Sequence, residues 1–240
     1  MLAAALEEGT ADLNETFYCP GFITVGGNTI KCSSYDKGGH GEITLEQAMA
    51  YSCNTVFIEL GLRLGKDKIL EYARKFGLDE AVGIGLPEEK KGYIPENKDV
   101  YYPDIGNLSI GQGVIRVTPL QTAQMVLTIV NDGQLKRPVL VKEVINNAGN
   151  RIMQVSSGVL RQVISKGTAA KVRQAMEAVT LYGSGINATP PAFRQKSAGK
   201  TGTAQVSEDV SHAWFVGYYP VQDPKYIITV FCERGGSGSA

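Results

Sequence analysis

The sequence contains no run of about 18 consecutive apolar residues, so no segment reads as a membrane-spanning helix. It shows no signal-peptide pattern either. Neither sign of charge is in excess: Lys plus Arg total 24 and Asp plus Glu total 24. That balance removes the electrostatic footprint expected of a nucleic-acid partner, and no block of like charge suggests an interaction tail. Internal repeats are absent. No two of the four cysteines, Cys19, Cys32, Cys53 and Cys232, are spaced Cys-x-x-Cys, and His40 and His212 are the sole histidines. On spacing these are too few for a zinc motif, and nothing in the sequence asks for a metal or a cofactor. Cys19 and Cys32 flank a hairpin expected over 22–30, which leaves both a disulfide and two free thiols open.

What remains is an ordinary globular balance. The chain has 240 residues, 43% of them hydrophobic and 20% charged, enough to bury a substantial core. Met1 opens directly into Leu2-Ala3-Ala4-Ala5-Leu6-Glu7-Glu8-Gly9, the end of a helix closed by a glycine. At the other end 233–240 is rich in Gly and Ser. Both ends are expected to be truncations, so the absence of a targeting signal says nothing of location.

Between them, Thr44-Leu45-Glu46-Gln47 is a capping box opening a helix to about Tyr51. Further helical periodicity covers 55–62 and 67–76, with Ile69, Leu70, Ala73 and Phe76 on one face and Gly77 beyond. The stretch 83–107 reads as irregular. Thr118-Pro119-Leu120-Gln121 combines an N-cap, a proline at the first helical position and a glutamine at the third, and this helix ends at Gly133. A short β segment over 139–144 and 151–155, hinged at 146–149, and a one-faced helix over 168–181 follow. The period then changes to strands at 197–206, 212–219 and 226–232, with Asp223-Pro224 as a turn. Helices followed by consecutive strands argue for an α+β fold with an antiparallel sheet. The expected division is one incomplete domain over 1–232, mainly helical over 44–182 with three sheet strands over 197–232, then the tail.

Three motifs carry chemistry. Ser52-Cys53-Asn54 lies at a helix junction, Lys200-Thr201-Gly202-Thr203 on a strand, and Ser109-Ile110-Gly111-Gln112-Gly113 precedes a capped helix. Each alone has a plain reading: a polar corner, a chance tripeptide, a glycine-rich loop. Together they supply most of what a serine acyl-transfer site needs. Ser52 offers a hydroxyl to relay a proton, and Asn54 an amide for a substrate peptide bond. Lys200 brings positive charge beside Gly202, which has no side chain to obstruct a substrate. Thr201 and Thr203 offer hydroxyls to a carboxylate, and the Thr203 N–H is a natural oxyanion donor.

Ala48–Phe57 (AMAYSCNTVF), Ser109–Gln121 (SIGQGVIRVTPLQ), Ala198–Gln205 (AGKTGTAQ) and His212–Tyr218 (HAWFVGY) resemble the transpeptidase domain of class B penicillin-binding proteins. Essentially the whole chain takes part, from the helix ending at Glu8 to the strand ending at Cys232. The resemblance implies a β-lactamase/transpeptidase-like fold with a remnant antiparallel sheet. It implies peptidoglycan D,D-transpeptidation of stem peptides, with β-lactams as covalent inhibitors. It also implies a parent protein at the extracytoplasmic face of a bacterial membrane, partnered by a glycan polymerase.

The departure from the family is its Ser-x-x-Lys nucleophile. By family spacing the serine falls a few residues before Met1, so this fragment is expected to be inactive. Ser34-Tyr35-Asp36-Lys37 matches the bare pattern, but in a glycine-rich turn region. Two related readings are a serine β-lactamase, which needs a further base to activate water, and a β-lactam sensor domain. His40 reads as part of a surface loop, His212 as ordering a strand end, and Trp214 and Phe215 as strand core. An unrelated binding domain with accidental motifs would scatter Ser52, Asn54, Lys200 and Thr203; the enzyme readings put them in one cleft.

Overall fold

The computed structural model describes residues 1–207 and 209–239. In chain order the elements are α1 (Leu2–Glu7), β1 (Thr16–Cys19), β2 (Phe22–Val25), β3 (Asn28–Lys31), β4 (Gly41–Thr44), α2 (Leu45–Tyr51), α3 (Asn54–Lys75), α4 (Asp104–Ser109) and α5 (Pro119–Val130). Then come β5 (Gln134–Lys136), β6 (Glu143–Ile145), β7 (Arg151–Gln154), β8 (Val159–Gln162), α6 (Lys166–Leu181), β9 (Ala198–Gln205), β10 (Ser211–Tyr219) and β11 (Tyr226–Cys232).

The main sheet is antiparallel in the order β11-β10-β9, so among the described residues β9 keeps one edge free of strand partners. On β9 Lys200 stands opposite Val216 and Gly202 opposite Trp214 of β10. α6 packs on β9, and α5 on β10 and β11. One face of the sheet is thereby covered. On β11 Tyr226, Ile228 and Val230 stay exposed, and Trp214 and Phe215, expected in the strand core, are half-buried.

The core is mostly helical. α1 is buried through Leu2, Ala3, Ala4 and Ala5 and packs against α3 and α6, where alanines let helix backbones approach closely. The Glu7 carboxylate accepts from Ser165 N at 2.9 Å and Ser165 Oγ at 2.9 Å, which fixes α1 to the start of α6. α3 is broken at Gly65 (φ 73°) into the two helical stretches that the periodicity indicates. The α4 turn falls inside a stretch that reads as irregular; Ser109 Oγ comes so close to Gly61 of α3 that a Cβ there would clash.

Both capping boxes form. Thr44 N donates to Gln47 Oε1 at 2.9 Å, and Thr118 N donates to Gln121 Oε1 at 2.9 Å. The fully buried Gln121 also donates to the carbonyls of Leu78 (3.0 Å) and Glu80 (2.8 Å) and tethers the loop after α3. The β segment expected over 139–155 is the hairpin β6–β7, and a second pair, β5–β8, brackets it.

Candidate active site

α2 must stop abruptly for α3 to leave in a new direction. The stop is Ser52, in the left-handed region at φ 57°, ψ 48°. Cys53 N donates back to Ala48 O at 2.8 Å and Ser52 N to Met49 O at 3.2 Å, a glycine-type helix closure made here by a serine. A side chain in this conformation costs on the order of 1 kcal/mol relative to glycine. Glycine would carry no hydroxyl, and the strain leaves the Ser52 hydroxyl at the corner between two helices.

Lys200 reaches that corner from β9. Its Nζ donates to Ser52 Oγ at 2.8 Å, across 148 positions of sequence, and to its neighbour's carbonyl, Thr201 O, also at 2.8 Å. No carboxylate among the described residues pairs with this ammonium. Burial therefore acts unopposed and pushes the Lys200 pKa down from 10.5 to about 8.

A second line of contacts locks the corner to the sheet. The turn after α6 docks on α2, where Ser184 N donates to Ala50 O at 2.8 Å. A Cβ on Gly183 would lie 2.3 Å from that same carbonyl, so only glycine permits the approach. The Ser184 and Thr201 hydroxyls share a hydrogen bond of 2.8 Å. The path Ser52–Ala50–Ser184–Thr201–Lys200 thus closes on itself.

The free edge of β9 is met by the Ser109–Gly113 segment. Gln112 Nε2 donates to Thr203 O at 2.7 Å, and Gln205 N donates to Gln112 Oε1 at 3.3 Å. One side-chain amide thus stands where a neighbouring strand's peptide would stand. Asn54 Nδ2 donates to Lys31 O at 2.9 Å, and the Thr203 hydroxyl accepts from Gly238 N of the tail at 3.1 Å. An open groove of about 680 Å3 includes Lys31, Asn54, Asn107, Gln112 and Gln205 in its lining. Ser52 and Lys200 do not line that groove; Asn54, two residues from Ser52, connects the two.

Of the six residues singled out in the sequence, Ser52 closes α2 and Asn54 opens α3, while Lys200, Thr201, Gly202 and Thr203 follow one another on β9, and the Lys200–Ser52 contact joins corner to strand. Gln112 and Ser184 complete the arrangement. Gln112 stood in a motif that gave it no role, and Ser184 stood in a Gly-Ser-Gly turn that composition reads only as a loop.

The sheet-and-helix architecture, with the Ser52 corner facing the Lys200 strand, defines the β-lactamase/transpeptidase fold. The family profile for the penicillin binding protein transpeptidase domain matches residues 1–240, and the chain belongs to that family. It is 36% identical over 241 residues to stage V sporulation protein D of Bacillus subtilis, covering 97% of this chain and 36% of the relative. It is 32% identical over 246 residues to peptidoglycan D,D-transpeptidase PbpA of Mycobacterium tuberculosis, covering 97% and 48%. Among solved structures, the D,D-transpeptidase domain of a peptidoglycan glycosyltransferase from Eggerthella lenta superposes with a TM-score of 0.89 at 31% identity, covering 99% of this chain and 59% of that one. Penicillin binding protein 3 of M. tuberculosis complexed with ampicillin gives 0.87 at 30% identity, covering 99% and 56%. The chain spans between about a third and a half of the length of these two curated relatives.

Ser34 of the bare Ser-x-x-Lys match is buried and hydrogen-bonded to His40 Nδ1 at 3.0 Å. It precedes a 3-10 turn rather than opening an α-helix. His40 itself is half-buried, not a free surface residue, with its ring stacked on Tyr51 at 5.6 Å. His212 Nδ1 accepts from Arg234 N at 3.0 Å and ties down the end of β11. Cys19 and Cys32 are both free thiols; Cys32 instead meets Cys53, whose sulfur lies 3.8 Å away.

Proposed function

We propose that these residues form the proton-relay, oxyanion and substrate-holding part of a serine D,D-transpeptidase that cross-links peptidoglycan stem peptides and is acylated by β-lactams. The observation that carries this reading is the 2.8 Å contact between Lys200 Nζ and Ser52 Oγ. In the proposed reaction a serine hydroxyl attacks the carbonyl of the donor stem peptide, and the peptide bond to its terminal residue breaks. The proton lost by the nucleophile passes through the Ser52 hydroxyl to the departing amine. Lys200 steadies the Ser52 oxygen and lends positive potential to the substrate carboxylate. The Thr203 N–H faces the oxygen that becomes negative in the tetrahedral intermediate. The Asn54 amide holds the substrate peptide, and Gly202 leaves room for it. Thr201 and Thr203 would exchange their present partners, Ser184 and Gly238, for the carboxylate.

No Ser-x-x-Lys in these 240 residues opens a helix at the Ser52 corner, so the reading takes its nucleophile from outside this sequence, and the fragment is inactive by itself. In the parent protein the site works at the extracytoplasmic face of the membrane, beside a glycan polymerase that supplies new strands.

Labelled penicillin tests the assignment. The 240-residue chain should show no covalent label on a denaturing gel. The same chain joined to its upstream segment should be labelled, and Ser52→Ala should slow that acylation by about 100-fold or more. A stable adduct on the 240-residue chain would overturn the division of roles and direct attention to Ser34.

A further inference from the structure

Beside the Ser52 corner three cysteines and a histidine converge, from four separate pieces of chain. Cys19 closes β1, Cys32 follows β3, His40 directly precedes β4 and Cys53 lies between α2 and α3. Their ligand atoms all lie within 4.8 Å of one another. The three cysteines are buried and His40 is half-buried.

The distances resemble those of a metal site. With metal–sulfur bonds of about 2.3 Å and a metal–nitrogen bond of about 2.0 Å, a tetrahedral zinc ion sets sulfur–sulfur edges of about 3.8 Å and sulfur–nitrogen edges of about 3.5 Å. Cys32 Sγ lies 3.8 Å from Cys53 Sγ and 3.5 Å from His40 Nδ1, the nitrogen that a metal ion would take over from the Ser34 hydroxyl. Bringing the widest pair to the tetrahedral edge requires a movement of about 1 Å, within reach of side-chain torsions.

The surroundings suit thiolate ligands. Backbone N–H groups of Ser34 and Asn54 lie close to Cys32 Sγ, that of Val56 to Cys53, and those of Gly21 and His40 to Cys19. Such donors spread the negative charge of metal-bound sulfur. The His40 ring is held in plane by its stack on Tyr51. The loop that delivers it is tightly built: a Cβ on Gly39 would lie 2.1 Å from Cys19 O.

We infer that Cys19, Cys32, His40 and Cys53 form a structural zinc(II) site that staples the β1–β4 pair and the β2–β3 hairpin to the Ser52–Asn54 corner. Three sulfurs and one imidazole select zinc by ligand softness and tetrahedral geometry. All four positions are filled by protein, so the ion is structural. Its functional leverage is positional. Cys53 sits between Ser52 and Asn54, and Cys32 directly follows Lys31, whose carbonyl holds the Asn54 amide. The ion would fix the corner from which both site side chains project.

The test reads metal rather than activity, so its failure would leave the transpeptidase assignment standing. The 240-residue chain, purified under reducing conditions and titrated with zinc(II) alone, should bind one equivalent. Elemental analysis should find that zinc after gel filtration, and a chelator should lower Tm. Cobalt(II) in its place should give the visible ligand-field bands of a tetrahedral thiolate complex. Cys53→Ser and His40→Ala should weaken zinc binding by about a hundredfold or more, and Cys232→Ser should leave it unchanged. Cobalt and chelator measurements on the unaltered chain keep the test decisive if a variant fails to fold. No stoichiometric zinc on the reduced chain would overturn the inference. So would an intact mass two hydrogens low that zinc does not prevent, which would mean a disulfide in place of the metal.

Discussion

Replacing Lys200 by methionine should change how stability depends on pH, in a direction set by the buried ammonium. In the folded chain burial lowers its pKa to about 8, against 10.5 in the absence of such burial. Below about pH 8 both folded and unfolded chains hold the proton, and the folded chain carries the full cost of a poorly solvated charge. Between about 8 and 10.5 the unfolded state still holds the proton and the folded state has released it. Stability from this group therefore rises with pH across that window. Working the two titrations through gives a gain of about 2 kcal/mol between pH 7 and 9.5. For a domain of this size that is about 4–8 °C in Tm. The assay is thermal or urea unfolding of the wild-type chain and Lys200→Met at both pH values. Thiols and tyrosines titrate alike in both proteins and cancel in the difference. The wild type should gain on the variant by the stated amount. Parallel pH profiles would show that Lys200 is not desolvated and would refute the account of its proton.

Gln121→Leu should destabilise the chain by about 3 kcal/mol, because one side chain serves the Leu78 and Glu80 carbonyls and the Thr118 N–H, and all lose their partner; a loss under about 1 kcal/mol in urea unfolding would show that water replaces it. The exposed Tyr226, Ile228 and Val230 on β11 should make the chain self-associate through this edge strand. Sedimentation velocity should show concentration-dependent association that Ile228→Lys suppresses, and a monodisperse wild-type monomer would count against it.

What could be read from the sequence was what is local or repeated. The capping boxes at Thr44 and Thr118 each lie within four residues, and both form. The break at Gly65 and the strand period of β9, β10 and β11 are likewise local patterns. The short α4 turn has no sequence signature, because its six residues hold too little periodicity to register between the glycines and prolines around it. The pairing of Ser52 with Lys200 could be anticipated only because the two motifs are each distinctive; nothing in their spacing of 148 positions forces contact. Gln112 shows the limit more sharply. Its role exists only because β9 ends the sheet and leaves a peptide edge to satisfy, and edge status is a property of the assembled sheet.

The cysteine cluster fails to register in sequence for a related reason. Zinc motifs are recognised when two ligands share a tight turn, as in Cys-x-x-Cys. Here no two ligands do. β1 and β4 run antiparallel, with Cys19 opposite Gly41, and this pairing carries His40 back beside the end of β1. The β2–β3 hairpin folds Cys32 onto the same spot, since Cys32 N donates to Gly21 O at 2.7 Å. The left-handed Ser52 then turns the chain so that Cys53 enters from the helical side. Each ligand arrives by a different tertiary contact, so the site exists only when the Ser52 corner is already formed. That dependence runs both ways: whatever ties the four ligand atoms together must stabilise the φ 57° corner that presents Ser52 to Lys200.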